Sequence, residues 1–532
     1  MTNPDIGIPN HAPRRYNPSM RIRPTFVTAW LLVVSLLAAW PARAGDRPQW
    51  GERYTRNMVS DETNLPGRVD FETGLNVKWA ADIGNETHGT PVIAGGRVYV
   101  GTNNGHPRDS RHRGDRGVLM CFDEKDGRFL WQLVVPKLEG DPFLDWPSGG
   151  IVSPPTIEGD RCYVISNRGE VMCLDVNGQA NGNQGPFLDE GAHMAKTGEP
   201  AMEVTPQDAD ILWLFDLRKD AGVYQHDSAH ASILLHGEFL YLNTSNGTDN
   251  THRRIRCPDA PALVVFDKAT GRLLARDHEG MSPRTFHSTW SSPALGEVGG
   301  RTLIFFGGPD GVVYAFEALQ QAPPPGQVER LKLAWKFDCD PAGPKENIHS
   351  YITSENGQYA RPNRKESPSN IKSMPVFHEG RLYVTAGGDV WWGKRQSWLK
   401  CIDPAGSGDV TKTAEIWSYS MPSHCCTTPA IRDGLAFVCD DAGTAHCVDI
   451  KTGKACWTHP MHGEVWASVL AADGKVYFGS RGRDFCILAC SREKKVLCQV
   501  RLDSPLSSTP VAANGVVYVA TQKKLYALQK RE

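Results

Sequence analysis

One phrase recurs eight times along the chain, and it limits the fold more than any other feature. It runs Ser/Thr-x-Pro, a short apolar stretch, Asp-Gly or Gly-Gly, and a second stretch ending near Tyr-Val. A turn, a third stretch ending Cys/Ala-Leu-Asp, then Thr-Gly and a Trp complete it. The last copy is nearly bare, STPVAANGVVYVATQKKLYAL from Ser508 to Leu528. One slot near the end of the third stretch marks the register: Cys121, Cys173, Val265, Ala315, Cys401, Cys447, Ile487 and Ala527. The Pro ahead of the first stretch recurs as Pro91, Pro155, Pro293, Pro375, Pro429 and Pro510; Ser232 and Val469 fill that slot in the other copies. The closing Trp recurs as Trp131, Trp213, Trp335, Trp417 and Trp457. Alternating apolar runs bounded by Gly and Asp are short antiparallel strands. A lone four-stranded sheet cannot bury both faces, so the copies must stack, and a closed ring protects their edges. The expected fold is all-β: an eight-bladed β-propeller of four-stranded antiparallel blades over residues 76–528.

A chain of 532 residues would ordinarily suggest three or four domains, but the repeat register decides for one array. The 52 Gly and 37 Pro exceed average usage. Part of the Gly surplus falls after the third strand, at Gly127, Gly271 and Gly453, where a turn needs positive φ. The last copy stops after its third strand. Trp79, in NVKWAADIG, reads as an outer strand yet precedes the first copy. Residues 76–83 are therefore expected to complete the eighth blade, leaving 45–75 as an N-terminal extension and 529–532 as a tail.

The N-terminus reads as an address. Arg21 and Arg23 precede the apolar run FVTAWLLVVSLLAAW, followed by Pro-Ala-Arg-Ala ending at Ala44. Charge, length and the small-residue rule describe a cleavable signal peptide over 1–44, starting at Met1 or Met20. The run is short for a spanning helix, although an uncleaved anchor stays open. Gly45 rather than Cys follows the cut, so no lipid is attached there. The product is expected to be periplasmic or secreted, a monomer with no later transmembrane segment. Residues 1–44 carry five Arg and one Asp, so without them the net charge moves from −2 to −6. That balance excludes a general nucleic-acid binder, and the local basic loop at Arg108, Arg111, Arg113 and Arg116 reads as a solvated surface.

The Ser-x-Pro, Tyr-Val, Leu-Asp and Thr-Gly-x-x-x-Trp phrases resemble the repeats of quinoprotein-like (PQQ-like) propellers over about residues 76–528. That family includes PQQ-dependent alcohol dehydrogenases and outer-membrane assembly scaffold lipoproteins. The run HDSAHASILLHGEFLYLNTSNGTDNTHR resembles a PQQ-like repeat subfamily of secreted planctomycete-type proteins. The resemblance carries fold but not function.

Extra length is unevenly placed. The last three register positions lie 40 residues apart, against 52, 92, 50, 86 and 46 earlier. Long second-to-third-strand loops at 101–117, 245–261 and 386–398 share one expected face with long inter-blade loops at 132–152, 214–228, 276–290 and 338–372. The stretch 176–209 leaves the opposite face. An elaborated face on a rigid ring is the usual layout of a binding surface. The runs into the blades bring unusual chemistry to it: His226, Asp227 and His230; Arg284, His287 and Trp290; His424, Cys425 and Cys426; Glu464 and Trp466. Their convergence on a concave mouth makes them ligand-binding candidates. His226 and His230 stand four apart, but on a loop rather than a helix, so that spacing argues for no metal. No Cys-x-x-Cys pair with matching His indicates structural zinc. The sequence points to no metal ligands.

Cys121, Cys173, Cys401 and Cys447 share one slot in different blades and read as small core residues. Adjacent Cys425-Cys426 can close a strained ring. In PQQ alcohol dehydrogenases such a ring stacks on the quinone, but there it belongs to an early blade and here to the sixth. Two functions follow. One is an exported binding or scaffold module whose elaborated face holds a protein, glycan or small molecule. The other is a PQQ-dependent alcohol or sugar dehydrogenase with PQQ and calcium as cofactors. No Gly-x-Ser-x-Gly supports a hydrolase, and no Cys-x-x-Cys-His attaches a haem.

Overall fold

The computed structural model describes residues 45–140, 143–355, 359–361 and 363–531; the signal peptide expected at 1–44 lies outside them. Eight four-stranded antiparallel blades follow one another along the chain, and short extra strands pair in parallel with the edges of blades 3, 4 and 7. Blade 1 is Val92–Ala94, Arg97–Asn103, Arg116–Asp123 and Phe129–Pro136. Blade 8 has Val511–Ala513, Val516–Ala520 and Lys524–Leu528, and takes its outer strand, Val77–Asp82, from the other end of the propeller. Trp79 pairs with Ala527 there, so the expected closure is realised. No helix among the described residues is long and apolar enough to cross a membrane.

The repeated residues form one row per blade. In blade 1 Tyr99 pairs with Cys121, which pairs with Trp131; in blade 5 the row is Tyr383, Cys401, Trp417. The small middle residue lets an aromatic ring stand on each side of it. All eight blades carry a bulge next to this row, which increases local twist. The Trp then reaches the next blade. Trp131 Nε1 donates to Val176 O at 2.8 Å, and Trp417 Nε1 to Ile450 O at 2.8 Å. The Gly of Thr-Gly-x-x-x-Trp serves two purposes: Gly453 has φ +67°, and a Cβ there would meet the Trp417 ring at 2.7 Å. The four register cysteines are buried, and all fourteen cysteines are free.

The N-terminal extension lies inside the ring. Arg47 exchanges backbone bonds with Ile93 of blade 1, and Pro48 O accepts from Ile157 of blade 2. Arg56, fully buried, bonds Ser232 and Pro293 at the entries to blades 3 and 4. Thr55 O accepts from Phe377 of blade 5, and Asn57 exchanges bonds with Ile431 of blade 6. Val59–Ser60 pairs in parallel with the first strand of blade 7, and Glu62 accepts from Asn514 and Gly515 of blade 8. One segment therefore touches the inner strands of all eight blades, with its contacts near their first hairpin turns. It closes the axis on the face opposite the long loops.

Candidate functional site

Above that segment lies an axial cavity of about 870 Å³. Its walls come from the runs into blades and the second-to-third-strand loops. Trp50 of the inner segment lines it, held by a bond from its Nε1 to Thr509 Oγ1 at 3.2 Å. Trp146, Trp290, Trp391, Trp392 and Trp466 add indole surface. Arg481 lies 4.0 Å over the Trp466 ring and Lys372 4.2 Å over Trp290, cation–π contacts that hold positive charge against an aromatic wall. Arg253 and Arg254 also line the space; Glu86 and Asp227 supply its carboxylates.

Asp389, fully buried, organises one wall. Its Oδ1 accepts the backbone N–H groups of Trp391 and Trp392 at 3.0 and 3.1 Å. Its Oδ2 lies 3.1 Å from His287 Nδ1 and 3.2 Å from Lys372 Nζ. Burial pushes this carboxyl up, but His287 and Lys372 outweigh it and hold it well below the ordinary range. His226 is fully buried, with Nδ1 2.8 Å from Thr248 O and Nε2 3.0 Å from His287 Nε2. Burial, then His287, keep His226 far below the usual histidine range; the same causes bring His252 to about 3. Burial raises Asp227.

The sequence candidates divide. Asp227, His230, His287, Trp290, Cys426 and Trp466 line the cavity, and His226 stands directly behind Asp227 and His287. His230 turns to Trp290, stacking at 4.3 Å. Arg284 lies elsewhere, bonded to Asp310 and Tyr314 beside a smaller pocket. His424 packs against Arg364 and Gly388 O. Cys425 points into the blade core, its Sγ 3.2 Å from Cys439 O, so it forms no ring with Cys426. Glu464 receives Arg481 at 3.8 Å. The sequence reading missed His252, Lys372, Asp389, Trp391 and Trp392. His252 had a signal, since it lies inside the run quoted above and in the long loop 245–261.

The family described as outer membrane protein assembly factor BamB matches residues 115–318 and 395–491, more than half of the chain. The chain belongs to this PQQ-like repeat family. Tetrathionate hydrolase of Acidithiobacillus ferrooxidans is 28% identical over 123 residues, spanning 22% of this chain and 24% of that protein. The match therefore covers about a quarter of that relative's length. Among solved structures, BamB from Moraxella catarrhalis has a TM-score of 0.49 at 11% identity, covering 85% of this chain and 98% of that one. A europium-containing methanol dehydrogenase has 0.44 at 13%, covering 90% of each. A quinohemoprotein alcohol dehydrogenase from Comamonas testosteroni has 0.45 at 11%, covering 92% of this chain and 81% of that one. At such low identity these likenesses assign no activity to this PQQ-like repeat chain.

Proposed function

We propose that this is an exported propeller that binds a small planar anion in its axial cavity. The observation that carries the reading is the wall chemistry: six tryptophans line the cavity together with Arg253, Arg254, Arg481 and Lys372, of which Lys372 pairs with Asp389 and Arg481 faces Glu464 at 3.8 Å. The guanidinium groups of Arg253, Arg254 and Arg481 on the cavity lining make it a place for an anion in a chain whose net charge is −2. Flat indole faces favour a ligand with a π surface. Export is supported by the signal-like sequence of 1–44, and a periplasmic or secreted location follows from it.

A PQQ-dependent dehydrogenase would need a calcium ion held beside the quinone. A quinone-bound calcium needs six to eight oxygen ligands. The side chains that converge here at ligand distance are imidazoles, among the described residues, and Cys425 and Cys426 are free. The residues present do not fit that cation, and no step is routed through it. PQQ remains useful as a probe because it is a planar tricarboxylate.

The test is a titration of tryptophan fluorescence with PQQ and with flavin mononucleotide, each with and without calcium. Saturable one-to-one quenching, independent of calcium and weakened by Arg481→Gln, is expected of an anion-binding cavity. Quenching with dye-linked alcohol oxidation that appears only with calcium would replace it with the dehydrogenase. No quenching by either anion would count against the cavity as their site.

A further inference from the structure

We propose that His226, His252 and His287 form a transition-metal centre in the cavity wall, a site for one divalent cation of the zinc and copper class. The three imidazoles come from the run into blade 3, the loop 245–261 of the same blade, and the run into blade 4. Each offers one ligand atom, and these atoms lie within 4.8 Å of one another. All three residues are buried.

The hydrogen bonds around the cluster fix which nitrogens are free to ligate. Thr248 O accepts from His226 Nδ1, and Asp389 Oδ2 accepts from His287 Nδ1. An acceptor on Nδ1 is the usual support of a metal-bound histidine, because it fixes the tautomer and aims the Nε2 lone pair. Here the two Nε2 atoms face each other at 3.0 Å. Two lone pairs at that distance repel, whereas two nitrogens bound tetrahedrally to one cation at about 2.0–2.1 Å stand about 3.3 Å apart, a few tenths of an ångström wider than here. Without a cation, a proton between the two Nε2 atoms relieves the same repulsion, and metal uptake must displace that proton.

A carboxylate completes the surroundings. Asp227 Oδ1 lies 3.6 Å from His226 Nε2, and its Oδ2 3.7 Å from His287 Nε2. Asp227 and Ser228 both have left-handed backbone, at φ 61° and 75°, a conformation costly for residues with a Cβ and often kept at functional sites. The N–H of Asp227 donates to Phe143 O at 2.7 Å, which holds the bend. Imidazole-rich donors select zinc, copper and nickel over calcium and magnesium. Asp227, His252 and His287 line the cavity, so a cation bound there presents its remaining position to whatever enters. Only that last point rests on the cavity being a ligand site; metal uptake does not.

The test uses chelator-treated full-length protein titrated with zinc by calorimetry and with cobalt by visible absorption. One metal per chain and a tetrahedral cobalt spectrum are expected. His226→Ala and His252→Ala should each weaken zinc by at least about 100-fold, and Asp389→Asn, a positioning variant, by about 10–100-fold. His462→Ala, a surface control outside the cavity, should bind as the parent does. Circular dichroism shows that each variant is folded; His252 lies on a loop, so its variant serves if His226→Ala does not fold. No uptake by the folded parent at 100 μM zinc, or uptake that survives both His252→Ala and His287→Ala, overturns the site. Repeating the anion titration on chelated protein separates the two proposals: anion binding without metal uptake removes only the metal centre, and metal uptake without anion binding removes only the ligand reading.

Discussion

Arg56 grips Ser232 twice, through Nη1 to the side-chain Oγ at 3.2 Å and Nη2 to the backbone O at 3.1 Å. Its Nε bonds Pro293 O at 2.9 Å, so one guanidinium ties the inner segment to the entries of blades 3 and 4. Burial lowers this group to about 9. Arg56→Ala leaves buried carbonyls without donors and opens a cavity, a loss on the order of 3 kcal/mol or more. Arg56→Lys keeps the charge but not the planar fork, and is expected to recover part of that loss. Thermal and urea melts of both variants check it; a melt equal to the parent for Arg56→Ala would mean that the inner segment does not brace the ring.

Gly127 and Gly96 both have left-handed backbone, φ +73° and +74°, but differ in surroundings. A Cβ on Gly127 would stand 2.6 Å from the Trp79 ring, whereas nothing lies within 4 Å of one on Gly96. Gly96→Ala should cost about 1 kcal/mol, the conformational term alone. Gly127→Ala should cost at least about 1 kcal/mol more, through overpacking. Equal losses in parallel melts would show that the Trp does not use the space under the turn.

Trp79 closes the ring. It packs on Gly127 of blade 1 and donates from Nε1 to Glu124 O at 3.1 Å while its strand belongs to blade 8. Trp79→Ala is expected to cost about 3–5 kcal/mol. Because the closure is lost, backbone amides of Lys524–Leu528 should exchange faster in deuterium. Unchanged protection of that strand would place the closure elsewhere.

Asp441 gives a pH dependence. Burial, then repulsion from Glu464, raises its carboxyl to about 7. An unfolded Asp titrates near 4. The folded state therefore holds the proton more tightly, and stability falls as pH rises from about 4 through about 7. Asp441→Asn carries no such penalty. It should melt with the parent near pH 4 and be more stable at pH 8, by on the order of 3 kcal/mol. A pH-independent difference between the two proteins would contradict this.

The ring was legible because its signals are local. Each blade's Gly, Trp and small middle residue act within a few strands, so Cys121, Trp131 and Gly127 declare their roles at fixed spacing. Even the closing strand followed from a surplus Trp79 and a missing fourth strand. The inner segment was not legible, since Arg47, Pro48, Thr55 and Met58 meet the blades through main-chain groups that any residue carries. The site was legible in part. Its His and Trp residues stand out by type, but loop paths decide which of them meet. His424 and Arg284 look like His226 and His287 in sequence, yet they end against Arg364 and Asp310. Asp389 and Lys372 belong to blade 5 and carry no pattern that links them to His287.

In the proposed function the axial cavity holds a planar anion against its indole and guanidinium wall. Isothermal titration of PQQ in calcium-free buffer measures it most directly, on the parent, Arg481→Gln and Arg254→Gln. One site per chain is expected, with affinity about tenfold weaker for each arginine variant, roughly 1.4 kcal/mol. Binding of equal strength in all three proteins, or no heat in the parent, would contradict it.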